Sequence, residues 1–394
     1  MEKLENLLTK KFDELPTITK RMSAIMDFIN FFGYFVGVEI KLNWQMNNRS
    51  TFTLLLIFIV TWLIGYTLYA QFPSLSCVEL LGGSALLLSS AAKYVTFVLN
   101  PAKFAQLMKF IENVCDINQS GYREIILRNT TATVVRHCKF VFGGIVSGLA
   151  LYSCWPCYDF FINGNYTLVS PLRMPFVDET TFKGYLILTF VNIFAASVAV
   201  FGTYTYSCIF LSYVDVYDGL LSLVVDDFGL FDRMHDKRSQ FRPECACIFR
   251  NTMVELMDMA RFNFAMRELF DDCATVEIVC CFYGIVVVLF GYLANDYIGG
   301  IGAAAYFITE LLMFCFIGQL LQNTNDRILM VLYDTKWYTY DVAYQKDILF
   351  ALLIFQDLQP ISVASLYPLN FETGLQVVNN IYSSLMIILE FLDK

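Results

Sequence analysis

Six stretches of roughly twenty mainly apolar residues recur along this 394-residue chain, at 51–70, 77–99, 140–162, 182–214, 274–294 and 302–321. Each is long enough to cross the ~30 Å hydrocarbon core of a bilayer as a helix. A seventh is split. Residues 347–360 are too few to cross, and the Pro-containing break "SLYPLN" separates them from 371–392, which are enough. Charge is correspondingly scarce: 16% of residues are charged and 57% are hydrophobic, where an ordinary globular chain carries about 25% charged residues. The expected fold is an all-α polytopic membrane protein with seven transmembrane helices, the seventh split.

Lys and Arg give the orientation. They crowd residues 1–50, 100–139 and 215–273, whereas 71–76 and 295–301 hold none and 163–181 hold Arg173 alone. Basic loops stay cytoplasmic, so the N-terminus is expected inside and the C-terminus outside. Asn165-Tyr-Thr then sits in an outer loop as a glycosylation acceptor. The stretch "MSAIMDFINFFGYFVGVEI" (22–40) is apolar but carries Asp27 and Glu39. It reads as an interfacial or re-entrant helix within a cytoplasmic region, 1–50. Residues 51–321 hold the first six spans. The long polar connection at 215–273 has helical periodicity at Met253, Leu256, Met257, Ala260 and Phe264, which extends the fifth helix into the cytoplasm. Residues 322–360 form a second cytoplasmic segment, and 361–394 the final span.

Several functions are excluded by what the chain lacks. Net charge is −9, with no basic run for nucleic acid. No nucleophile–base pair, nucleotide loop or metal-ligand spacing is readable, so neither an enzyme nor a cofactor nor a metal is expected.

The terminal segment raises a different question. On a helix at 100° per residue, Thr373, Gln376, Asn380, Ser384, Ile387 and Phe391 fall on one stripe, flanked by Ser383 and Glu390. Polar amides facing lipid are costly, so this face meets protein or water. Two readings stand. Asn380 and Ser384 bond a neighbouring helix of the same subunit, or the stripe lines an aqueous path whose apolar part closes by dewetting. The second needs several subunits around one axis. Acidic residues near the outer side, Glu390 among them, then favour cations.

The last third carries more specific motifs. These are Phe314-Cys315 with Gly318-Gln319, Tyr333-Asp334 with Trp337-Tyr338, Gln345-Lys346, Pro360, and "LYPLNFET" before a helix bearing Tyr-Ser; "SPLRMPFVDET" precedes the fourth span. Together they resemble the insect odorant receptor family over essentially the whole chain. The resemblance implies an odorant receptor subunit of a ligand-gated, non-selective cation channel in the plasma membrane of a sensory dendrite. It implies assembly with a shared co-receptor as a heterotetramer. The long fourth-to-fifth loop of that co-receptor is missing here, which makes this chain resemble a ligand-tuning subunit. By the same resemblance the cytoplasmic helices anchor subunits together, the last helix lines the pore, and Ile387 and Phe391 form the gate.

The resemblance also implies a pocket for a small volatile apolar odorant between the second, third, fourth and sixth helices. On the second helix the candidates are Ser84, Leu87 and Leu88. The third offers Gly148, Leu151 and Trp155, the fourth Ile187, Val191 and Phe194, and the sixth Ala303 and Tyr306. Trp155 supplies a π face and Tyr306 a hydroxyl. Small residues at 82–84, 195–197 and 302–305 leave room. Gustatory receptors, which are related, end in Thr-Tyr, five apolar residues and Gln-Phe. Here the run is Ser383-Ser384, "LMIIL", Glu390-Phe391, a departure that favours the odorant receptor. A G-protein-coupled receptor would be oriented the other way and would carry Asp-Arg-Tyr. A transporter would need mid-membrane ionisable groups, and the candidates Lys93, Glu277 and Glu310 read as lying near helix ends.

Overall fold

The computed structural model describes residues 12, 15–40, 44–72, 76–118, 121–164, 166–168, 170–178, 181–236, 243–295 and 299–392. At 76, 145, 148, 149, 151–157, 163, 235, 236, 243, 295, 299, 391 and 392 only the backbone course is described. Helices α1 (Ile18–Val36), α2 (Asn48–Gln71), α3 (Ser76–Leu99), α4 (Pro101–Ile117) and α5 (Gly121–Tyr158) come first. They are followed by α6 (Phe182–Asp236), α7 (Pro243–Asn295), α8 (Gly299–Asp334) and α9 (Val342–Gln356). A two-stranded hairpin, β1 (Ser362–Val363) and β2 (Tyr367–Pro368), leads into α10 (Phe371–Leu392).

Local chemistry sets the helix ends. Thr17 caps α1 by accepting from Lys20 N, and Gly37 stops it at φ 82°, a left-handed geometry that favours glycine. Asn47 and Ser50 form a reciprocal capping box at the start of α2. Pro101 opens α4 directly after Asn100.

Five of the described helices, α2, α3, α6, α7 and α8, are long and apolar enough to cross a membrane. The third expected span falls in α5, part of which has only its backbone described. Length matters as much as hydropathy. At 1.5 Å per residue the 55 residues of α6 reach about 80 Å, and the 53 of α7 nearly as far. Both therefore project well beyond a ~30 Å apolar slab. The extension of the fifth helix is as expected. The equally long extension of α6, the continuation of α8 to Asp334 and the separate helix α4 are not visible in hydropathy.

The long helices pack with α4 and α9 around one continuous core. Phe270 stacks on Phe210 with ring centroids 4.1 Å apart, and Tyr206, Tyr213 and Phe104 meet its edges. Arg123, at the start of α5, bonds Asp227 of α6, Glu255 of α7 and Asn118 after α4. The 22–40 segment, expected as an interfacial or re-entrant helix, packs on other helices. Helix α1 buries Met22, Ile25, Phe28, Ile29 and Phe32 against α6, and Phe32 lies 4.7 Å from the Tyr204 ring. Its amphipathic face is covered by protein.

Candidate ligand cavity and terminal helix

The terminal helix is anchored at its start and bare along one side. Asn370 caps it by accepting from Thr373 N at 2.9 Å. Asn370 Nδ2 donates to Gln322 Oε1 on α8 at 3.1 Å, and Phe371 N donates to Gln319 Oε1 at 3.4 Å. The hairpin before it hangs from α7: Ser362 N donates to Asp271 Oδ1 at 3.0 Å, and Ala364 N to Thr275 Oγ1 at 2.8 Å. The Gly318-Gln319 pair thereby acquires a physical role. A side chain at 318 would meet Leu369 O at 2.1 Å, so glycine lets the hairpin's exit seat on α8 while Gln319 takes the next amide.

Along α10, Thr373, Gly374 and Ile381 are buried against α7 and α8. Gln376, Asn379, Asn380, Ser383, Ile387 and Glu390 are exposed. Ser384 is half-buried, and its hydroxyl donates to Asn380 O within the helix. The stripe read from sequence therefore needs one correction. Thr373 is turned into the subunit, where its hydroxyl donates to Pro368 O at 2.7 Å. Glu372, Asn379 and Ser383 share the exposed arc in its place. Ile387 is 58% exposed, and Phe391 continues the helix with only its backbone described.

Among the described residues, the membrane-level cavities lie between α2, α3 and α6. One, of about 100 Å³, is bounded by Val60, Ile64, Gly83, Leu87, Asn192 and Ala195, with Ser170 and Leu172 from the loop above. A smaller one below it shares Val60, Leu87, Ala195 and Ala199 and reaches Thr53, Ser90 and Tyr94. Polar groups around it are satisfied internally. Thr53 donates to Val36 O, Ser90 to Leu87 O, Tyr94 to Ser50 O, and Asn192 Nδ2 to Leu188 O. What remains facing the two spaces is mainly apolar.

Of the residues expected to form the pocket, Leu87 lines both spaces. Ser84 is half-buried, with its hydroxyl bonded to Leu81 O. Leu88, Ile187 and Phe194 are exposed at 57%, 50% and 38%, and Val191 is half-buried. Ala303 is buried and Tyr306 half-buried, its ring edge-on to Phe307. Gly148, Leu151, Trp155 and Asn165 lie outside what is described: only the backbone course of the first three is, and none of Asn165. Of the small-residue runs, 82–84 contributes Gly83 and 195–197 contributes Ala195 and Ala196. The contributions of α2, Asn192 and Ser170 were not read from sequence; nothing in an apolar span marks which face meets a void.

Membrane-length helices around an apolar cavity, ending in a helix with an exposed polar stripe, define a polytopic helical membrane protein. Solved structures share this architecture. The insect olfactory receptor OR5 from Machilis hrabei, in complex with eugenol, matches at a TM-score of 0.74 and 12% identity. A second structure of that receptor matches at 0.73 and 13%. Each match covers 94% of this chain and 98% of the receptor. At such identity the likeness speaks for the fold. Independently, the 7tm odorant receptor family matches residues 80–382. The chain belongs to that family, one of receptors rather than enzymes.

Proposed function

We propose that this chain is the ligand-tuning subunit of a heterotetrameric, ligand-gated, non-selective cation channel, assembled with a shared co-receptor in the plasma membrane. A small volatile apolar odorant bound among the helices opens a pore lined by α10. The observation that carries this reading is the exposed stripe of Gln376, Asn379, Asn380 and Ser383 on a helix that packs on α7 and α8 through Thr373, Gly374 and Ile381. A buried amide without a partner costs several kcal/mol in hydrocarbon, on the order of 4–8. Such a stripe is tolerable against water or other subunits. Ile387, on the same arc and one to two turns further out, supplies an apolar throat. With the N-terminus inside, as the Lys and Arg distribution implies, seven spans would leave this throat at the outer end. Support for the odorant as ligand comes from family membership and from the shared fold with a receptor solved with eugenol.

The test is electrical. Ile387→Ala, expressed with the co-receptor, raises the current flowing without odorant. Cysteines placed at 380, 384 and 387 react with hydrophilic thiol reagents faster while an odorant drives current. Unaltered basal current together with inert cysteines rejects the pore assignment.

A further inference from the structure

Lys93, Glu277 and Glu310, which read from sequence as separate groups near span ends, meet inside the protein. Lys93 lies on α3, Glu277 on α7 and Glu310 on α8, and each is at most 1% exposed. The Lys93 ammonium stands 3.0 Å from Glu277 Oε2 and 2.8 Å from Glu310 Oε2. Ser89, one turn up α3, donates to Glu277 Oε2 at 2.6 Å, and Cys281 Sγ lies 3.7 Å from Oε1. The Phe314 ring closes one side, its centroid 5.1 Å from Lys93 Nζ. Glu310 Oε1 has no hydrogen-bond partner among the described residues.

Such a cluster is a poor stabiliser. Each buried ion loses several kcal/mol of hydration, and apolar side chains of similar volume often do as well or better. Its cost points to another role, and its position indicates which. Helix α3 carries Gly83, Leu87 and Ser90 of the cavity wall within three turns of Lys93. Helix α7 carries Thr275 and Asp271, which hold the hairpin, within two turns of Glu277. Helix α8 carries Gly318, Gln319 and Gln322, which seat the start of α10, below Glu310. One ammonium thus ties the cavity wall to both helices from which α10 is hung.

We propose that Lys93, Glu277 and Glu310 are positioning residues that couple occupancy of the cavity to movement of α10. The proposal rests on the pore reading above. A shift of α3 around an odorant changes the register of Lys93 between its two carboxylates. Glu277 and Glu310 then move α7 and α8 relative to one another, and with them the hairpin and the pore helix. Packed helices alone would transmit little, because a sliding apolar interface has no preferred partner; a charge held by two acceptors has two discrete arrangements.

The test separates coupling from folding. The triple variant Lys93→Met/Glu277→Gln/Glu310→Gln removes every charge at nearly constant volume. The double variant Asp271→Ala/Thr275→Val removes both acceptors and so cuts the same line at the hairpin. Both are expressed with the co-receptor, and surface receptor is counted by biotinylation. The probe is the volatile giving the largest current in a panel of small aromatic and aliphatic alcohols and esters that includes eugenol. Maximal current per surface receptor is expected to fall at least tenfold in each variant, with surface amount within about threefold of the parent in the double variant. Lys93→Met alone is expected to lower surface amount as well. A parental maximal current per surface receptor in either multiple variant overturns the proposal. Recording Ile387→Ala alongside keeps the two readings apart. If that variant raises basal current while the triple variant gates normally, the coupling role falls and the pore stands.

Discussion

Gly318→Ala tests how closely the hairpin is seated on α8. In an isolated helix interior this change is favourable by about 1 kcal/mol, because alanine has the higher helix propensity. Here the new Cβ would lie 2.1 Å from Leu369 O and 2.7 Å from Leu369 Cγ, where ordinary contact begins at 3.4 Å. The nearest atom is backbone, and Leu369 N is itself bonded to Ile361 O across the base of the hairpin at 2.8 Å. Nothing can rotate aside, so the hairpin or α8 must move by roughly 1 Å, and overpacking of this kind costs about 1–3 kcal/mol. The clash outweighs the propensity gain, and the net effect is a loss of up to about 2 kcal/mol. Gly229→Ala is the control, since a Cβ at that position of α6 meets nothing within 4 Å; it should gain about 1 kcal/mol. Gly374→Ala is intermediate, because its nearest neighbour is the Cys315 side-chain sulfur. The assay is the thermal midpoint of the tagged, detergent-extracted protein followed by size-exclusion fluorescence. Gly318→Ala lowers the midpoint and Gly229→Ala raises it. Were Gly318→Ala to raise it as much as Gly229→Ala does, the close approach of Leu369 to α8, and with it the anchoring of α10, would be refuted.

Other expectations follow from single contacts. Arg123→Met leaves Asp227 and Glu255 facing each other without their shared cation, and should lower the same thermal midpoint by an amount equivalent to about 1.5–3 kcal/mol. Arg123→Lys should recover only part of this, since an ammonium lacks the fork that reaches both carboxylates; full recovery would show that charge alone matters. Cys115 is buried on α4, and burial, with Asp116 and Glu112 nearby, pushes its thiol up to about 12. Cys247 is exposed. At pH 8 the folded protein should therefore take N-ethylmaleimide at Cys247 and spare Cys115, as read by peptide mass spectrometry. Early labelling of Cys115 would mean that α4 is not packed as described.

Five of the spans were legible because hydropathy is a property of a short window, and the bilayer demands nearly the same window every time. The stripe on α10 was legible for a similar reason, since 100° per residue fixes which side chains share a face. Thr373 escaped that logic. It lies on the right arc, but the hairpin folds back over the first turn and takes its hydroxyl. Helix α1 escaped it as well: an amphipathic face looks the same whether lipid or the flank of α6 covers it. The cavity was half legible. Small residues at 83 and 195–196 were read as room, but a void belongs to the gap between helices, and α2 gives no sign that it forms one wall.

By itself, the sequence determined the class of protein, the apolar lengths, the polar stripe near the end and the family. Only the tertiary structure decided which distant residues meet. Lys93 and Glu310 are 217 positions apart and bond at 2.8 Å. That pairing depends on the rotation and vertical register of α3 against α8, which follow from packing over whole helices. Local composition contains no term for either quantity, so three charged residues that look like stray helix-end groups in the chain become one buried cluster in the fold.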